Sequence, residues 1–93
     1  MGLAPREFRP LKQHRYDKTL CYYLGQWRIG TDIMEGRGVI IFCDDGSVYE
    51  GYFRKNKIDS YGRYMYHTGN SYQGGFNAGK RHGFGTMNGK LLL

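Results

Sequence analysis

Tyrosine, glycine and a second aromatic stand at alternate positions three times in this chain: Tyr23, Gly25 and Trp27; Tyr49, Gly51 and Phe53; Tyr72, Gly74 and Phe76. Successive side chains of a β-strand point to opposite faces, so each triplet places two rings and a glycine on one face. The glycine lets the rings beside it lie flat over backbone and lets the sheet bend sharply. Three copies at an interval of roughly 23 to 26 residues mark a repeat architecture, and the longer first interval is read as loop insertions.

Each copy continues in the same way. Gly30, Asn56 and Gly79 follow at a common offset, and glycine and asparagine are the residues that tolerate a positive φ, so one left-handed turn position is expected in all three. A return strand then starts at Gly36-Arg37-Gly38, Tyr61-Gly62 or Gly83-Phe84-Gly85, with large residues at alternate positions beyond it. Ile40 and Phe42, Tyr64 and Tyr66, and Met87 are expected to join the aromatic face. Asp44-Asp45-Gly46-Ser47 and His67-Thr68-Gly69-Asn70 are turn chemistry between hairpins. Asn88-Gly89 arrives where a strand should still be running, so a short last return strand is expected. The pattern predicts an all-β fold: a single twisted antiparallel meander of about six strands over residues 21–93, behind an extended basic arm of residues 1–20.

From Tyr72 to Gly85 the chain reads Tyr-x-Gly-x-aromatic, then Gly79 and the run Lys80-Arg81-His82-Gly83-Phe84-Gly85. In this it resembles the MORN (membrane occupation and recognition nexus) repeat. The resemblance covers about residues 23–48, 49–71 and 72–89. The first copy departs from the pattern with Ile33-Met34-Glu35 in place of the His-Gly pair, and the second with Asp59-Ser60-Tyr61-Gly62. The resemblance implies a repeat core of Tyr23, Gly25, Trp27, Tyr49, Gly51, Phe53, Tyr72, Gly74 and Phe76. Gly30, Asn56, Gly79, His82, Gly83 and Gly85 are placed with the turns.

A chain of 93 residues is one domain and buries only about 60 to 65% of its unfolded surface, so its core depends on its aromatics. Half of the formal charge of +6 sits on the first 20 residues, where Arg6, Arg9, Lys12, Arg15 and Lys18 face Glu7 and Asp17. That asymmetry points to an arm with a contact of its own. Alone, the arm cannot bury enough apolar surface to offset its ordering entropy, so it is expected to lie against its own sheet or another chain. Removing residues 2–18 is accordingly expected to leave the sheet folded. Leucines at 91–93 are expected to pack into the last hairpin or a neighbour. Arg6, Arg9, Lys12, Arg15, Leu91 and Leu92 are therefore the partner-binding candidates.

No catalytic residue, metal ligand or cofactor site is assigned. The serines and histidines lie in no catalytic motif, Asp44-Asp45 is explained by a hairpin turn, and no Cys-His spacing fits zinc. Cys21 and Cys43 are expected to be free thiols. There is no apolar run of bilayer length and no signal-peptide core, and Arg6 stands where a myristoylation site needs Ser or Thr. Basic and aromatic residues together can bind nucleic acid, but here the aromatics are better used as core. The function expected is that of a non-catalytic scaffold or interaction module. The resemblance to MORN-repeat proteins implies an accessory subunit of a larger eukaryotic assembly, intracellular and ciliary or cytoskeletal in setting, with other protein subunits as partners. The alternative is a peripheral module that binds anionic membrane phospholipid through a basic rim of Lys55, Lys57, Arg63, Lys80 and Arg81 together with the basic arm.

Overall fold

The computed structural model describes residues 5–92. Positions 1–4 and Leu93, which include the acylation position Gly2 and the end of the leucine tail, lie outside the described residues. Eight strands follow in order: β1 (Arg6–Tyr16), β2 (Thr19–Arg28), β3 (Met34–Phe42), β4 (Val48–Arg54), β5 (Lys57–Met65), β6 (Ser71–Asn77), β7 (Lys80–Met87) and β8 (Lys90–Leu92). They form one sheet in chain order, each strand antiparallel to the next.

The six strands expected from the repeats are β2 to β7. The other two come from segments with no repeat pattern. β1 pairs along β2 from Arg6↔Arg28 to Tyr16↔Thr19, and β8 pairs with the end of β7. Such strands need no apolar period of their own, because the edge of a sheet already presents unpaired N–H and C=O groups. The boundary drawn at residue 20 falls inside β2. The last return strand is the shortest of the three, with eight residues in β7 against nine in β3 and in β5, and the chain turns after it at Asn88 (φ 51°) and Gly89 (φ 83°).

A line of glycines organises the sheet. Gly25, Gly38, Gly51, Gly62, Gly74 and Gly85 are register partners in succession across β2 to β7. Directly beyond the line the register slips in each hairpin, between Gly25 and Trp27, Gly51 and Phe53, and Gly74 and Phe76. Such bulges bend a strand and increase its twist. The bend is visible in ring distances. Residues four apart on a straight strand are separated by about 13 Å, whereas the Tyr23–Trp27, Tyr49–Phe53 and Tyr72–Phe76 centroids lie 4.9, 5.2 and 5.2 Å apart, all edge to face. The sheet is thus a trough creased along its glycines, with the aromatic face inside.

Each repeat tyrosine locks the crease. Its hydroxyl donates to the carbonyl three residues on: Tyr23 to Gln26 at 2.7 Å, Tyr49 to Tyr52 at 2.9 Å and Tyr72 to Gly75 at 3.1 Å. Burying the ring therefore leaves no phenol unpaired, which would cost about 1–3 kcal/mol. Tyr23, Trp27, Met34, Ile40 and Tyr49 are fully buried, and Tyr64, Tyr66 and Met87 pack partly buried against them.

The hairpin tips interlock from one repeat to the next. Asn56, in the β4–β5 turn, donates its N–H to the Met34 carbonyl (3.1 Å) and accepts the Met34 N–H on Oδ1 (2.8 Å). Gly79, in the β6–β7 turn, donates to the Ile58 carbonyl (2.8 Å). Met34, Ile58 and Arg81 are equivalent, opposite Trp27, Phe53 and Phe76. The next tip covers the first two, and an arginine stands at the third, which is exposed.

Candidate interaction surfaces

Two kinds of surface compete for a partner: the arm and the face of the sheet opposite the trough. The arm is largely engaged within the molecule. Arg9 and Glu7 form an ion pair at 3.2 Å, and Arg9 and Lys12 reach Asp32 Oδ1 at 3.2 and 2.9 Å. Both cations also sit over the Trp27 ring, at 4.9 and 5.1 Å from its centroid. Lys12 first, then Arg9, holds the Asp32 carboxyl below its ordinary range by hydrogen bonding and charge. Farther along β1, His14 meets Trp27 edge-on at 4.8 Å and lies 3.3 Å from Asn56 Oδ1. The Ile58 N–H donates to the Tyr16 hydroxyl at 3.0 Å, and Asp17 pairs with Lys57 at 2.5 Å. β1 therefore closes the trough over the first two repeats, and the rings of Tyr23, Trp27 and Tyr49 offer no groove to a partner.

None of the described residues covers the opposite face. Alternation along β2 and β4 places Tyr22, Leu24, Gln26, Val48, Glu50 and Tyr52 there, and register adds Val39 and Ile41 from β3 and Arg63 from β5. Tyr22, Leu24, Ile41, Tyr52 and Tyr61 are large hydrophobic residues left exposed on it, and Phe8 joins them from β1. A row runs straight across the strands: Leu24, Val39, Glu50, Arg63, Gln73, Thr86, Leu91. Its character changes from apolar to charged along the way. Two shallow cavities flank it, one of about 340 Å³ bounded by Phe8, Leu24, Val39, Arg37 and Glu50. The other, of about 420 Å³, is bounded by Arg37, Glu50, Tyr52, Tyr61, Arg63 and Gln73. They share Arg37 and Glu50, so they form one groove from β1 to β6. Arg37 lies over the Tyr52 ring at 5.2 Å, and Gln73 Nε2 donates to the Tyr61 hydroxyl at 2.9 Å.

Of the partner-binding candidates, Arg6, Arg15 and Leu91 register with this outer face. Arg9, Lys12 and Leu92 register with the trough side, Leu92 opposite Gly85. Gly30, Asn56 and Gly79 occupy turns with φ of 75°, 66° and 90°. His82, Gly83 and Gly85 lie within β7 instead of a turn, because the tip closes at Ala78-Gly79 and the chain is paired again from Lys80. Phe8, Arg37 and Tyr61 were not singled out from the sequence; for Arg37 and Tyr61 the signal was their place beside Gly38 and Gly62, whereas Phe8 lies in a segment with no repeat pattern. Arg63, expected on the basic rim, lies within β5.

Cys21 is buried and Cys43 exposed, both as free thiols. Among the described residues no three His, Cys, Asp or Glu side chains are grouped to hold a metal, and no helix is long and apolar enough to cross a membrane.

The family model described as MORN repeat matches residues 32–47, 49–71 and 72–90. Comparison with curated proteins returns no significant match.

Proposed function

The chain belongs to the MORN repeat family, whose repeats are generally modules for contact with proteins or membranes, and from this premise we propose that it is a non-catalytic structural subunit that docks a partner protein. The partner segment lies across the outer face, in the groove from Phe8 to Gln73. The observation that carries this reading is the second face of the sheet, which none of the described residues covers. An antiparallel sheet commonly leaves one face to water, but that face is then polar, whereas here Tyr22, Leu24, Ile41, Tyr52 and Tyr61 remain exposed on it. Apolar side chains exposed side by side mark an interaction site.

Adjacent strands are about 4.8 Å apart, so crossing from β1 to β6 takes about 24 Å, or roughly seven residues of extended chain. The groove asks that segment for apolar side chains toward Phe8 and Leu24 and for both charge signs beside Glu50 and Arg63. Arg6, Arg15 and Leu91 would extend the contact at its margins. The setting in keeping with the family resemblance is a larger intracellular eukaryotic assembly, ciliary or cytoskeletal. The membrane alternative draws less support, since Arg9 and Lys12 already pair with Asp32 and the outer face mixes Glu50 with its arginines.

The test pairs two measurements. Tagged protein is cross-linked in its own cells as wild type and as a Leu24→Glu, Tyr61→Glu double variant, and purified protein is floated with phosphatidylserine-containing vesicles at physiological salt. Expected are a partner cross-linked through the outer face, lost in the variant, and protein left unfloated. Robust flotation, or a partner held equally by the variant, overturns the proposal.

A further inference from the structure

On the trough side, between the β1–β2 and β3–β4 turns, a cavity of about 220 Å³ is lined by Tyr16, Phe42, Ile58 and Tyr64, with Asp44 and Asp45 at its rim. It lies apart from the outer groove. Phe42 and Tyr64 are nearly parallel, with centroids 6.0 Å apart and planes at 25°, and form a floor. Tyr16 stands against Phe42 at 80°, with centroids 5.5 Å apart, and forms a wall. The two carboxylates are fixed, not free to swing: Asp44 Oδ1 accepts the Asp45 N–H and Asp45 Oδ1 accepts the Ser47 N–H, both at 2.8 Å. Both aspartates are exposed.

Aromatic faces carry negative potential and attract a cation, most strongly where water is partly excluded. Carboxylates at the mouth add a field of the same sign. The molecule already uses this chemistry at the edge of the site, where Lys57, held by Asp17, lies 5.4 Å from the Tyr16 centroid. His67 also lies near Asp45. An amine tip on an aliphatic stem satisfies floor and rim together, with methylenes over Phe42 and Ile58 and the charge toward Asp44 and Asp45.

We propose that this cavity receives the alkylammonium group of a lysine side chain on a partner protein. Methylation of that lysine strengthens the contact, because a bulkier, less hydrated cation gives up less water to reach the rings. A lipid choline group offers the same chemistry, but it is the weaker candidate, since fixed carboxylates at the mouth are repelled by an anionic bilayer.

The full chain, isotopically labelled, is titrated by NMR with three capped amino acids: lysine, trimethyllysine and norleucine, which has the stem without the charge. Expected are shifts at Tyr16, Tyr64 and Asp45 with both cations at millimolar concentration, trimethyllysine binding several-fold tighter, and none with norleucine. An Asp44→Asn, Asp45→Asn variant keeps the turn acceptors and should lose affinity at least five-fold, its fold checked by unchanged core methyl signals. Equal binding of norleucine, full affinity in the variant, or no shift at the cavity overturns the proposal. So does binding to phosphatidylcholine vesicles with none to the lysines, which assigns the site to lipid.

Discussion

The ring of Tyr23 fills the space that a side chain on Gly38 would need: a Cβ placed on Gly38 falls 2.5 Å from both Cε1 and Oη of that tyrosine. Tyr49 stands in the same relation to Gly62, and Tyr72 to Gly85. The tyrosine cannot yield, because its ring is fully buried and its hydroxyl is held by the Gln26 carbonyl. Gly38→Ala is therefore expected to cost about 1–3 kcal/mol by overpacking. Gly46→Ala is the control. Gly46 has a φ of 77° and nothing within 4 Å of its added Cβ, so only backbone strain of about 1 kcal/mol applies. Urea unfolding of the two variants should rank Gly38→Ala as the more damaging, and the reverse order would dismiss the crease as the source of rigidity.

Asn56 separates conformation from side-chain chemistry. Its φ of 66° would suit glycine, yet its Oδ1 accepts the N–H of fully buried Met34 at 2.8 Å. Asn56→Gly keeps the turn and strips that amide of its acceptor, which should cost about 1–3 kcal/mol. Hydrogen exchange at Met34 is the specific readout, and it should accelerate more than exchange in β6 and β7. A variant as stable as wild type would show that the turn alone matters.

These two residues also mark what the sequence could carry. The glycine line was half legible, as Gly25, Gly51 and Gly74 in the triplets; Gly38, Gly62 and Gly85 emerge as their partners only once the register is known. Asn56 was legible as a residue that tolerates positive φ, but its bond to Met34 joins neighbouring repeats and leaves no local pattern. The arm was legible as an extended segment expected against its own sheet or another chain, but its strand register and its contacts were not, for a related reason. β1 takes its order from the edge of β2, so Arg9 and Lys12 read as spare charge until Asp32 and Trp27 stand beside them. The continuity of the outer groove from Leu24 to Leu91 needs the pairing across seven strands.

The arm can be tested through one atom. Tyr16 Oη is the acceptor for the N–H of Ile58, a residue only 3% exposed. Tyr16→Phe retains the ring beside Phe42 and removes the acceptor, so a loss of about 1–3 kcal/mol is expected, with faster exchange at Ile58. Deleting residues 2–18 goes further. It uncovers Trp27 and frees one side of β2, and should leave a protein of low cooperativity, contrary to a sheet that stands without its arm. Asp32→Asn is expected to have a much smaller effect, and a smaller one again in high salt, because the pair is exposed. Cooperative unfolding of the truncated chain near the wild-type midpoint would refute an integral arm.

Alkaline pH should unfold this protein, and the sign follows from burial. Burial raises the pKa of Tyr16, Tyr23, Tyr49 and Tyr64, and pushes the Cys21 thiol, with Cys43 nearby, up to about 11. In the unfolded chain the thiol ionises near about 8.5 and the phenols near about 10. Above those values the unfolded state binds fewer protons than the native state, so stability falls as pH rises. The Cys21 contribution is complete below about 8.5 and is lost as pH rises through about 11. The phenols follow from about 10 upward. On the acid side the sign reverses at Glu35, whose pKa the Arg28 hydrogen bond lowers; its contribution is lost as pH falls below the ordinary value of about 4.3. Urea midpoints between about pH 8 and about pH 10.5 should decline, and Cys21→Ala should flatten the first part of that decline. An identical slope in the variant would place the titrating groups elsewhere than at this thiol.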